Sequence, residues 1–107
     1  MRTGLIAICL TFIFNVQNAL AVDRIYIGSG EASCGEWIAE KHMLTHRQLW
    51  VLGYLSGLNR KSPVDFLKDY EVNGISLAID NYCQQNPLKK VINAADDVAE
   101  QMKRMKK

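Results

Sequence analysis

His42 and His46 stand four residues apart, the spacing at which one helix can present two imidazoles to a metal ion. A zinc centre needs three or four ligands. The helix break expected at Met43 to Thr45 undoes the spacing, and no third ligand stands nearby. Both histidines therefore read as exposed loop residues. Dithiol redox chemistry would want a close pair such as Cys-x-x-Cys, and Cys9, Cys34 and Cys83 are far apart. A serine or cysteine nucleophile needs a histidine base oriented by a third group, and no such set is marked. Asp65 with Asp69, and Asp96 with Asp97, fall where solvated helix faces are expected, and Gly28-Ser29-Gly30 is too short to cradle a phosphate. The chain reads as non-enzymatic, with no metal and no cofactor.

The cysteines point instead to export and a crosslink. Met1-Arg2 is a short positive start, Leu5 to Phe14 is an uncharged apolar run, and Ala19-Leu20-Ala21 presents small residues where a signal peptidase reads. Residues 1–21 are expected to be a cleaved signal peptide, which places the mature chain in the periplasm and leaves no membrane segment. Cys9 follows Ile8 within the apolar run, which argues against lipidation. The mature chain, from Val22, has about 86 residues, near the size at which a hydrophobic core alone is marginal. The two cysteines left, Cys34 and Cys83, read as a disulfide. Closing a loop of about 50 residues contributes about 4 kcal/mol in the chain-entropy model.

Of thirteen Lys and Arg, Arg2 leaves with the signal, and eleven Asp and Glu nearly balance the rest. That balance gives no case for nucleic acid, which wants a strong basic patch. The local excess at Lys103-Arg104 and Lys106-Lys107 reads as a solvated end that complements a helix dipole.

The elements that must hold these residues are helical. Leu49 to Asn59 is apolar on nearly every side, interrupted by Gly53, Ser56, Gly57 and Asn59, so it is expected to be the central, buried helix. Gly53 and Gly57 are expected to mark close packing of another helix or aromatic ring. Residues 22–32 are expected to form an extended N-terminal arm, and 33–107 a helical domain. Ser33-Cys34-Gly35-Glu36 and Thr45-His46-Arg47-Gln48 fit capping boxes opening a first helix, to about His42, and the central one. Ser62-Pro63 predicts a short helix over Val64 to Tyr70, anchored by Phe66 and Leu67. Asn73-Gly74 predicts a turn before a helix over Ile75 to Gln85. Asn86-Pro87 predicts the start of a last helix, whose seam is Leu88, Val91, Ala95, Val98, Met102 and Met105. The whole predicts an all-α single domain, a bundle of four main helices and one short helix stapled by one disulfide.

With no chemistry marked, binding through apolar surface remains. The order and spacing of Ser33-Cys34-Gly35-Glu36-Trp37, the apolar helix ending at Asn59, Val72-Asn73-Gly74-Ile75, the helix carrying Cys83 and the Lys-rich end from Val98 to Lys107 cover most of the mature chain. Together they resemble the HdeA/HdeB-like family of small periplasmic acid-stress chaperones, and the separation of Cys34 from Cys83 looks like that family's single disulfide. The resemblance implies a small helical fold and a homodimer at neutral pH. It also implies that in acid the protein loosens and holds unfolded protein clients on exposed apolar surface. Under it, Leu49, Val51, Leu52, Tyr54, Leu55 and Leu58 are the candidate client-binding residues. The same features would serve a small exported immunity or inhibitor protein with one specific enzyme as partner.

Overall fold

A computed structural model describes residues 26–106. The expected signal peptide and residues 22–25 of the arm lie outside the described residues. The fold is all-α: α1 (Cys34–Ala39), α2 (Leu44–Lys61), α3 (Val72–Gln85) and α4 (Val91–Met105), with single 3-10 turns at Ser29–Glu31 and Lys41–Met43. Cys34 and Cys83 form a disulfide that joins the first turn of α1 to the last turn of α3, and both are fully buried.

The helix at the centre is α4. It packs against α1, α2, α3 and the Ser29–Glu31 turn, and buries Val91, Ile92, Ala94, Ala95, Val98, Ala99 and Met102. Its three buried alanines let neighbouring helices approach closely, while the larger groups fill the space between them. α2, expected at the centre, instead buries only Arg47, Val51 and Leu55. Its apolar residues are numerous but spread around the helix, so most of them reach the surface or its margin.

Local chemistry explains where the elements begin and end. Ser33 caps α1 as expected, its Oγ accepting the Glu36 amide at 3.0 Å. α1 stops at Ala39, short of His42, because Glu40 leaves helical geometry at φ −95°, ψ 76°. The Thr45 box is not used: the Lys41–Met43 turn runs straight into α2, and Thr45 is already inside the helix. Arg47 fixes this corner. Its guanidinium is buried and donates to the Glu36 carbonyl at 2.7 Å and to Glu40 Oε1 at 2.6 Å.

The short helix expected over Val64 to Tyr70 is a series of turns. Asn59 accounts for it: its Oδ1 accepts the Phe66 amide at 2.8 Å and its Nδ2 donates to Asp65 Oδ1 at 2.8 Å, so side-chain bonds replace helical ones. Asp69 closes the segment in left-handed geometry, φ 70°. Phe66 is wholly buried, which contributes about 2 to 3 kcal/mol. Lys103 and Lys106, from the basic end of α4, lie over the rings of Phe66 and Tyr70, at 5.5 and 5.6 Å from their centroids.

Asn73-Gly74 does not form a turn but lies within the first turn of α3, where amide hydrogens have no intrahelical acceptor anyway and a breaker does least harm. Asn86-Pro87 does not open α4 either. The loop it starts runs beside α1, where the Pro87 and Lys89 carbonyls accept the Gly35 and Cys34 amides at 3.0 and 2.7 Å. The loop is thus committed to satisfying the start of α1. α4 begins at Val91, its entry fixed by Asn93 Oδ1 accepting the Lys90 amide at 3.0 Å. Leu88, expected in the core seam, is 96% exposed.

Candidate partner-binding helix

The six candidate residues of α2 do not share one surface. Val51 and Leu55 face inward as part of the core that α4 completes. Leu52, Tyr54 and Leu58 are partly buried against that core, whereas Leu49 is 62% exposed. Five of the six therefore form the inner face and flanks of α2, and Leu49 belongs to its outside. Gly53 and Gly57 do not mark close packing: a Cβ built at either would meet nothing within 4 Å. Both lie on the solvent side with Ser56, whose hydroxyl donates back to the Leu52 carbonyl at 2.7 Å. The glycines give α2 a smooth outer face.

Close approach occurs at other glycines. The segment from Tyr26 to Glu31 lies across Trp50, one flank of α2, and is not simply extended. Trp50 Nε1 donates to the Ile27 carbonyl at 2.9 Å. Its ring stacks on Tyr54 at 5.2 Å with 10° between planes, and Tyr26 meets Tyr54 edge-on at 6.4 Å. Gly28 has φ 98°, and Gly30 is buried so close to Trp50 that a Cβ there would lie 2.3 Å from the indole. Trp50 was not among the sequence candidates. The paired glycines Gly28 and Gly30 were the available signal, but an arm with no recognised partner hid their meaning.

Carboxylates bridge the elements of this assembly. Glu31 accepts the Tyr26 amide at 3.0 Å and Lys90 Nζ at 2.7 Å, and the Lys90 bond, then the amide, hold its carboxyl below the usual range. The Arg47 hydrogen bond holds Glu40 below it too. The Tyr54 hydroxyl donates to Asp96 of α4 and is pushed well above its ordinary value, first by burial and then by that carboxylate. Trp37, fully buried in α1, donates through Nε1 to Asp80 of α3. In this way carboxylates tie α1 to α2, α2 to α4, α1 to α3, and the N-terminal segment to Lys90 at the start of α4.

His42 lies in the Lys41–Met43 turn and His46 in α2, both exposed, and among the described residues no three potential ligands gather around a metal position. Among them, too, no helix is long and apolar enough to cross a membrane. Comparison with protein-family models, with curated proteins and with solved structures finds no match to this chain.

Proposed function

We propose that this chain is a non-enzymatic periplasmic protein, similar to the HdeA-like chaperones, that holds acid-unfolded clients on the inner face of α2 after low pH has uncovered it. The observation that carries the reading is the placement of Val51, Leu52, Tyr54, Leu55 and Leu58 behind contacts that depend on ionised carboxylates. Glu31 and Glu40 have depressed values in the folded state, so the stability they contribute is present above the unfolded carboxylate value. It is lost as pH falls through their folded values. Protonation of Glu40 removes the nearer of the two carboxylate charges facing the buried Arg47 guanidinium, the other being Glu36 at 3.7 Å. At the same time the mature chain goes from about +1 to roughly +15, and like-charge repulsion opposes compact states. The Cys34–Cys83 bond keeps α1 and α3 together while α2 and α4 part.

The test is light scattering of an acid-labile client at about pH 2 to 3 and at pH 7, with near-ultraviolet circular dichroism of the protein alone. Suppression of aggregation only in acid, with loss of the near-ultraviolet signal, supports the proposal. A chain that stays folded in acid and suppresses nothing overturns it. One observation favours the inhibitor reading instead: Leu49 stands exposed beside the open Gly53, Ser56 and Gly57 face, a rigid surface ready at neutral pH. That reading requires a tight, single partner captured at pH 7.

A further inference from the structure

Asp96 and Asp97 are consecutive but serve different neighbours. Asp96 accepts from Tyr54 on α2, whereas Asp97 stands beside Tyr82 on α3. Between α3 and α4 lies a surface cleft of about 280 Å³, lined by Ala78, Asn81, Tyr82, Gln85, Asp97 and Gln101. Its spacing comes from the helices: positions 78, 81, 82 and 85 share one face of α3, and 97 and 101 are successive turns of α4.

The lining has a definite chemistry. Asn81, Gln85 and Gln101 supply three carboxamides, each able to donate and to accept. Gln101 Nε2 donates to Asp97 Oδ2 at 2.6 Å, which orients the carboxylate and leaves Asp97 Oδ1 and Gln101 Oε1 to accept. The side chains of Asn81 and Gln85 and the Tyr82 hydroxyl make no hydrogen bond among the described residues. Burial, then Asp97, pushes the Tyr82 hydroxyl up, so it remains a donor. Among the described residues no cation lines the cleft, and its one carboxylate repels an anion, so a neutral ligand fits it better. The single carboxylate, engaged by an amide, is a poor cage for a metal, which takes several oxygen ligands.

We propose that this cleft binds a neutral polyhydroxylated ring, a pyranose either free or at the end of a glycan. Each ring hydroxyl donates and accepts, as the carboxamides around it do, and the apolar C–H face of the ring rests on Tyr82 and Ala78. The volume, about 280 Å³, falls just below the roughly 300 to 1,000 Å³ of small-molecule sites, which suits one ring better than an extended chain. The site is built from α3 and α4 at neutral pH and does not depend on client holding by α2.

The experiment is a nitrogen-15 NMR titration of the oxidised full chain at pH 7 with glucose, cellobiose, N-acetylglucosamine and chitobiose. Saturable shifts of the Asn81, Gln85 and Gln101 side-chain amides, at a Kd of about 1 mM, are expected for at least one of the four. Stronger binding of the single sugars assigns a free ligand, and stronger binding of the linked pairs assigns a glycan end. Asn81→Ala and Tyr82→Phe, which keep the exposed surface and the aromatic ring respectively, should each weaken binding by about tenfold. Three results would overturn the proposal. They are no saturable shift with any of the four sugars, shifts that persist unchanged in both variants, and equal shifts with N-acetylglycinamide, which would assign the cleft to peptide.

Discussion

Replacing Gly30 with alanine should unseat the N-terminal segment from α2. The added Cβ would lie 2.3, 2.6 and 2.9 Å from three indole carbons of Trp50, and real Cβ atoms do not approach heavy atoms so closely. The indole has little room to retreat, because Tyr54 stacks on it and Ile27 holds its Nε1. Overpacking of this kind costs about 1 to 3 kcal/mol. Taking about 2 kcal/mol as the central value, Tm should fall by roughly 8 to 16 °C for a domain of this size. The strain can be relieved by lifting residues 26–31 away, so the loss of stability cannot exceed the free energy with which that segment docks. Either route exposes Trp50 while Trp37, 1% exposed against α3, stays where it is. Acrylamide quenching of the two tryptophans, with a Trp37→Phe background to isolate Trp50, reads the difference directly. A Gly30→Ala protein with wild-type Tm and wild-type quenching of Trp50 would refute the argument.

Glycines on the other face of α2 should respond with the opposite sign. Gly53→Ala and Gly57→Ala put a methyl group into open space in a helix interior, and each should stabilise by about 1 kcal/mol, raising Tm by roughly 4 to 8 °C. A fall in Tm for either variant in a thermal scan would mean that a neighbour does occupy that face. Glu40→Gln should lower stability at pH 7, because it removes the nearer of the two carboxylates that face Arg47, at 2.6 Å against 3.7 Å for Glu36. The deficit should shrink as pH falls through the depressed value of Glu40, until the two urea-unfolding curves coincide; a deficit equal at every pH would sink the carboxylate-latch argument.

The parts of the fold legible in the sequence were those set by strong local chemistry. Ser33 capping α1, and Cys34 with Cys83 as a structural pair, needed only neighbouring residues or the expected export signal to be read. The misreadings arose where a side chain had a distant claim on it. Pro87 and Asn86 look like a helix start, but their loop is committed to the first amides of α1. Ser62-Pro63 looks like another, but Asn59 takes the Phe66 amide first. Arg47 resembles a charged member of a cap until the α1 to α2 corner folds around it. The candidate site suffered from the same limit. Apolar density made Leu49 to Asn59 look central, yet burial depends on how apolar groups are distributed, and the narrow alanine-rich seam of α4 suits a middle position better. From composition alone, Leu49 and Leu55 are equivalent; only the direction of α4 separates them.

The disulfide also divides the described chain into a closed ring and two ends outside it, residues 26–33 and 84–106. Residues 34 to 83 make a covalent ring that contains α1, α2 and most of α3, while α4 hangs outside it like a stopper on its string. The helix that fills the middle of the core is therefore the one the crosslink does not hold. A pull between Cys34 and the far end of α4 would draw out residues 84–106, about 80 Å of chain at full stretch, while the load passed through the sulfur bond and left the ring unextended. Were α4 to leave the core, it would stay tied to the ring at Cys83, beside the opening it came from.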